Sequence, residues 1–83
     1  MDNIMVAGLL QEIMNDRGVP RNIKESLGES MGLLERKIPD NEKLSQILSV
    51  LDEAANDPNM SMAARTLIWN TVSAIEGIGS DAY

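Results

Sequence analysis

The stretch "LLQEIMNDRGVPRNI", residues 9–23, has a counterpart forty-one residues later, "VLDEAANDPNMSMAA", residues 50–64. Each stretch contains a Glu, two apolar residues and then Asn-Asp, followed by a turn with Gly or Pro. In each stretch the apolar residues recur at helical spacing up to Asn-Asp, and helical spacing resumes after the turn. The two stretches therefore predict two helix-turn-helix hairpins.

Outward from these turns, the apolar spacing predicts four helices and no strand, so the fold class is all-α. Gly18 is expected to have a positive φ in the first turn, and Gly77 with Gly79 is expected to end the last helix. Asp40 and Ser61 are expected to be helix N-caps. The predicted helices run from Asp2 to about Asn15, from Pro20 to about Lys37, from Asp40 to about Asn56, and from Ser61 to about Gly77.

A shift of the chain by forty-one residues keeps eight apolar positions apolar, which indicates an internal repeat of about the period of HEAT units. Two such units are too few for a solenoid, so we expect a compact antiparallel four-helix bundle. We predict one domain over residues 1–79, with hairpins 2–38 and 40–77 and a tail 80–83. The identical pairs within residues 10–35 and 51–76 are Leu10/Leu51, Glu12/Glu53, Asn15/Asn56, Asp16/Asp57 and Glu35/Glu76.

The composition removes several classes of function. The chain has no Cys and no His, so it lacks thiolate nucleophiles, imidazole bases and the commonest zinc ligands. Its formal net charge of −6 repels phosphate, which disfavours nucleic acid and anionic membranes as partners. With no apolar run of membrane-spanning length and no signal-peptide pattern, we expect a soluble, intracellular protein. Because the chain is small and has no catalytic residue set, we expect no cofactor and no enzymatic activity.

The repeated Glu-x-x-Asn-Asp has two interpretations. As a structural joint, Asn adopts the left-handed conformation that ends a helix, and Asp accepts the free amide protons of the next helix. As a metal site, Glu12, Asp16, Glu53 and Asp57 converge on a hard divalent cation, which prefers oxygen ligands. The joint explains Asn and Asp in both copies, and it leaves the two glutamates without a role.

Gly28 and Gly32 lie inside the second predicted helix, where each glycine costs about 1 kcal/mol relative to alanine. They are four residues apart and would leave a groove on one face. Trp69 is the repeat equivalent of Gly28, so we expect the indole to pack within the chain and compensate for the missing volume. The alternative is that Trp69 belongs to a partner interface, where Trp is often a hot spot. In both cases Arg65, one turn earlier on the helix, is near enough in sequence to stack on the ring.

"VPRNIKES" (residues 19–26) and especially "LDEAANDPNMSMAARTLIWNTVSAIE" (residues 51–76) resemble Uncharacterised Protein Family 0147, a set of short archaeal proteins. The resemblance covers about residues 8–78. Ser61 stands where that family commonly has Pro, and Gly28 and Gly32 stand where bulkier or charged residues are expected. The resemblance implies an archaeal source, a cytoplasmic location and a four-helix fold, and it implies no activity.

The function that this sequence favours is that of a small protein-interaction or structural module, with a second copy of itself or another protein as partner. The candidate interaction residues are Trp69, Arg65, Gly28 and Gly32. The alternative is a carboxylate-based divalent metal binder.

Overall fold

The computed structural model describes residues 3–80, which contain four helices and no strand, and the predicted start of the first helix at Asp2 lies outside this range. The Cα radius of gyration is 12.0 Å, as expected for a compact chain of this length. The helices are α1 (Asn3–Met14), α2 (Arg21–Leu33), α3 (Asp40–Ala55) and α4 (Met62–Ser80).

The helices form a closed ring. Each consecutive pair packs together and α4 returns to α1. Within residues 3–80, no Cα atom of α1 lies within 8 Å of one in α3, and none of α2 lies within 8 Å of one in α4. In a stack of HEAT-like units, α1 would pack on α3 and α2 on α4. The observed contacts match a twofold relation between the hairpins, because that relation maps the α1–α4 contact onto the α3–α2 contact. The prediction of an antiparallel four-helix bundle built from two hairpins is confirmed.

The core repeats with the same forty-one-residue shift. Each of the eight apolar pairs predicted from the sequence has both members buried or both half-buried. A polar pair follows the same rule: Ser30 and Thr71 are both buried, and each hydroxyl donates to the carbonyl four residues earlier, at 3.1 Å and 2.9 Å. The fully buried pairs are Val6/Ile47, Leu10/Leu51, Ile13/Ala54 and Leu27/Ile68.

The connection between α2 and α3 differs from its prediction. α2 ends at Leu33, four residues early, because the next turns tighten: Leu34, Glu35 and Arg36 each donate their amide to the carbonyl three residues earlier. α3 starts at Asp40 with Pro39 as N-cap and no side-chain cap, so the expected cap by Asp40 was wrong. Asp40 lies in the first turn instead, where its negative charge favours the positive end of the helix dipole.

Two glycine expectations were also wrong. No described glycine has a positive φ, so Gly18 does not serve the turn through a left-handed conformation. α4 continues through Gly77 and ends at Ser80, because glycine permits helix termination without requiring it. The predicted tail thus begins inside α4, and residues 81–83 lie outside the described range.

We expect Gly28→Ala to raise the free energy of unfolding by about 0.5–1 kcal/mol, because alanine loses less backbone entropy than glycine on entering a helix. A methyl group on Gly28 would lie 3.7 Å from Met14 Cε, an ordinary contact distance. Urea denaturation of the variant and the wild type measures this change. A loss of stability in Gly28→Ala would show that this position of α2 requires glycine.

No helix within residues 3–80 is long and apolar enough to cross a lipid bilayer.

Candidate functional site

The two Asn-Asp turns have the same hydrogen bonds. In the first turn, Asp16 Oδ1 accepts the Gly18 amide at 2.7 Å, and in the second, Asp57 Oδ1 accepts the Asn59 amide at 2.8 Å. In both turns the Asp carbonyl also accepts the amide three residues on, from Val19 and from Met60. Each Asp therefore closes its own turn rather than capping the next helix, as Asp commonly does through a bond to the amide two residues on.

Asn15 and Asn56 do not use a left-handed conformation, since no described residue has a positive φ. Asn56 remains in the right-handed region, at φ −93° and ψ 0°, and its Nδ2 donates to the Asp52 carbonyl at 3.1 Å. Asn15 Oδ1 accepts from Gln11 Nε2, also at 3.1 Å. The position of the joint was predicted correctly, but the conformation assigned to the asparagines and the helix cap assigned to the aspartates were wrong.

The two turns contact each other at one end of the bundle. The Ser61 amide donates to the Gly18 carbonyl at 3.1 Å, and Ser61 Oγ accepts the Ala64 amide at 3.1 Å. The N-cap predicted for Ser61 is thus confirmed. A methyl group on Gly18 would lie 2.7 Å from Ser61 Cβ. The second turn therefore lies so close to Gly18 that this position has no room for a side chain.

Although the turns meet, the carboxylates do not converge. Glu12 and Glu53 are exposed, and Asp16 and Asp57 each bond within their own turn. Among the described residues, no three acidic side chains are placed to hold a metal ion. The convergence that the metal-site interpretation requires is absent from this part of the chain. The two glutamates keep no assigned role.

Lys43 is a buried cation that the sequence analysis did not single out. It lies on the inner side of α3 with 6% of its surface exposed, and its Nζ donates to the Leu34 carbonyl at 3.0 Å. Asn3 Nδ2 donates to the same oxygen at 3.1 Å. Because Leu34 is the C-cap of α2, the ammonium group lies at the negative end of that helix dipole. Lys43 thereby ties α3 to the end of α2.

Trp69 is not packed in a groove at Gly28. Its surface is 53% exposed, and the atom nearest to a methyl group placed on Gly28 belongs to Met14. The expected compensation of volume within the chain was wrong, because these equivalent positions of the repeat both face outward on their helices. Arg65 Nη2 donates to the Asp57 carbonyl at 3.0 Å, and this bond ties α4 to the second turn. Its stacking on the Trp69 ring stays a prediction.

Exposed residues without charge form one face of α4, consisting of Met62, Thr66, Trp69 and Ser73, which we call the uncharged α4 face. These residues follow one another at spacings of three and four, so they lie along one side of the helix. Met62 is 70% exposed, and the sequence has no charged residue between Thr66 and Ile75. Met62 and Trp69, two exposed large apolar side chains of the second hairpin, both lie on this face.

Gly32 borders an open groove of about 680 Å³ between α2 and α3. A methyl group on Gly32 would have no neighbour within 4 Å, so the groove predicted for the two glycines exists at Gly32 and not at Gly28. Glu29 lines it from α2, Arg36 lines it from the turns that follow α2, and Gln46 and Ser49 line it from α3. This charged pair was not among the residues predicted from the sequence.

Comparisons with known proteins agree with this fold. The family model described as "Uncharacterised protein family (UPF0147)" matches residues 3–78. A UPF0147 protein of Methanothermobacter thermautotrophicus is 42% identical over 74 residues, which are 88% of this chain and 72% of the relative. A UPF0147 protein of Pyrococcus furiosus is 30% identical over 77 residues, or 92% and 83% of the two chains.

Two crystal structures have the same fold. One is a UPF0147 protein from Thermoplasma acidophilum, with a TM-score of 0.80, 32% identity and coverage of 89% of this chain and 88% of that one. The other is the protein MMP1188, described as of unknown function, with a TM-score of 0.76 and 31% identity over 89% of this chain and 85% of that one. The match of the family model to almost the whole described range, together with these relatives, shows that the chain belongs to the uncharacterised protein family UPF0147.

Proposed function

We propose that this protein is a non-enzymatic interaction module whose uncharged α4 face binds another protein. The observation that carries the proposal is the exposure of Trp69 beside Met62 on one side of a helix. Trp and Met are enriched in protein interfaces, and Trp is among the commonest hot-spot residues. An indole that contributes to neither core nor active site is best explained by a surface that becomes buried on binding.

The distribution of charge also favours the uncharged α4 face as the binding surface. The chain carries a net charge of −6, and bringing carboxylates into an interface costs desolvation energy unless each one is paired. The uncharged α4 face has no carboxylate. A partner with an apolar centre and a polar rim can cover it without leaving a buried charge unpaired. The cytoplasm as the place of this binding stays a prediction.

Trp69→Ser tests the proposal. The tagged chain is used to capture proteins from a lysate of the organism that encodes it, and captured proteins are quantified by mass spectrometry. We expect a protein that binds the wild type to bind Trp69→Ser about 30-fold more weakly, since a hot-spot side chain contributes about 2 kcal/mol or more.

Ile4→Ser is the matched control, because Ile4 is 86% exposed on α1. It removes an exposed apolar side chain of similar character from another helix. Both variants should unfold within about 0.5 kcal/mol of the wild type, as surface substitutions commonly do. Equal capture by Trp69→Ser and the wild type, or equal losses in both variants, would refute the assignment to α4.

A further inference from the structure

We infer that the groove between α2 and α3 docks a second copy of this chain, with two α2 helices antiparallel about a twofold axis. This surface is distinct from the uncharged α4 face. The inference goes beyond the proposed function by naming a second site and its occupant. It rests on the charges and the shape of the α2 surface.

The charges along this edge of the groove complement themselves. Glu29 lies on α2 and Arg36 lies in the tight turns just after its end, and both are exposed and line the same groove. Among the described residues, neither side chain forms a hydrogen bond or ion pair. In an antiparallel pair of α2 helices, Glu29 of each copy lies opposite Arg36 of the other. A twofold interface uses such a pair twice, because each contact recurs with the copies exchanged.

The centre of this arrangement fits in shape as well as in charge. If Glu29 of one copy lies opposite Arg36 of the other, Gly32 lies opposite Leu33. Leu33 is half-buried at the edge of the groove, and the space above Gly32 is open. The Leu33 side chain of each copy therefore enters the space that Gly32 of the other leaves. A glycine at this point allows two helix backbones to approach closely.

The contact is short, because α2 ends at Leu33 and continues only as tight turns through Arg36. About two helical turns from each copy, flanked by α3, make an interface at the low end of the size range for specific complexes. We expect a weak dimer, with a dissociation constant on the order of 10–100 µM.

A charge exchange tests the arrangement in the intact chain. In a dimer of the Glu29→Arg variant, an arginine faces an arginine at both contacts. In a dimer of the Arg36→Glu variant, a glutamate faces a glutamate at both contacts. We expect each variant alone to dimerise about tenfold more weakly than the wild type. Mixed together, the variants restore both opposite-charge pairs, so an equimolar mixture should form a heterodimer with near wild-type affinity. Sedimentation equilibrium at several concentrations measures all three samples.

The controls are Glu53→Arg and Arg17→Glu, which change the net charge by the same amounts at exposed positions away from the groove. They should dimerise as the wild type does. Gly32→Leu fills the space that the opposing Leu33 needs, and it should abolish the dimer without unfolding the monomer.

Three results would each overturn the inference. The first is a wild type that remains monomeric at millimolar concentration. The second is a dimer that the charge variants do not weaken, and the third is a mixture no tighter than its components. Because Trp69→Ser leaves α2 unchanged, it should keep the dimer while losing the α4 partner. The proposed dimer contact and the proposed α4 binding surface can therefore be refuted independently of each other.

Discussion

We expect Lys43→Glu to lower the free energy of unfolding by about 3–5 kcal/mol, a large fraction of the total for a chain of this size. The substituted carboxylate would lie buried at the position of the ammonium group, which bonds the Leu34 carbonyl at 3.0 Å. A carboxylate cannot donate to that oxygen, and it meets the negative end of the α2 dipole. Urea denaturation followed by far-UV circular dichroism measures the loss.

Two variants isolate the cause. Lys43→Met keeps an unbranched side chain of similar length and removes the charge. It should cost only about 1 kcal/mol, because Asn3 still donates to the Leu34 carbonyl. Lys37→Glu changes the net charge equally at an exposed position, and it should stay within about 0.5 kcal/mol of the wild type. If Lys43→Glu were as stable as Lys43→Met, Lys43 would not be buried against the end of α2.

The second large effect is expected for Gly18→Ala, which should lower the free energy of unfolding by about 2–3 kcal/mol. The added methyl group would lie 2.7 Å from Ser61 Cβ, which is attached directly to the backbone and cannot rotate away. The turns must separate, and the bond from the Ser61 amide to the Gly18 carbonyl is weakened. Gly28→Ala, which makes only an ordinary contact, is the matched control and should change stability in the opposite direction.

A double-mutant cycle identifies the contact responsible. Ser61→Gly alone should cost a few tenths of a kcal/mol, because glycine is a tolerable N-cap. Combined with Gly18→Ala, it removes the atoms with which the new methyl group clashes. The double variant should therefore be more stable than Gly18→Ala by about 1–2 kcal/mol. Additive losses would mean that the backbone of the first turn, rather than Ser61, requires glycine.

The sequence predicted the fold because its apolar spacing and its repeat both report on burial. The eight apolar pairs and the Asn-Asp turns were placed correctly, since helical spacing decides which side of a helix faces the core. The closure of the two hairpins into a compact bundle was expected from the small number of repeat units, whereas their twofold relation was not predicted. These features depend on local pattern and on chain length.

Other features depend on which surfaces meet in space. Lys43 looks in sequence like any helix-surface lysine, and its burial follows from the neighbouring end of α2. Trp69 was expected to pack within the chain because it is large and apolar, yet its place on α4 faces outward. The requirement for Gly18 comes from Ser61, more than forty residues away. Local sequence carries little information about such contacts.

We propose that binding uses the outer face of α4, whereas the repeated Glu-x-x-Asn-Asp turns are structural. Amide hydrogen exchange of the chain, free and saturated with a protein that it captures, distinguishes these two surfaces. We predict slower exchange in α4 segments that contain Met62, Thr66 and Trp69, and unchanged exchange at Asn15–Gly18. Protection of the two turns, with α4 unchanged, would contradict the account.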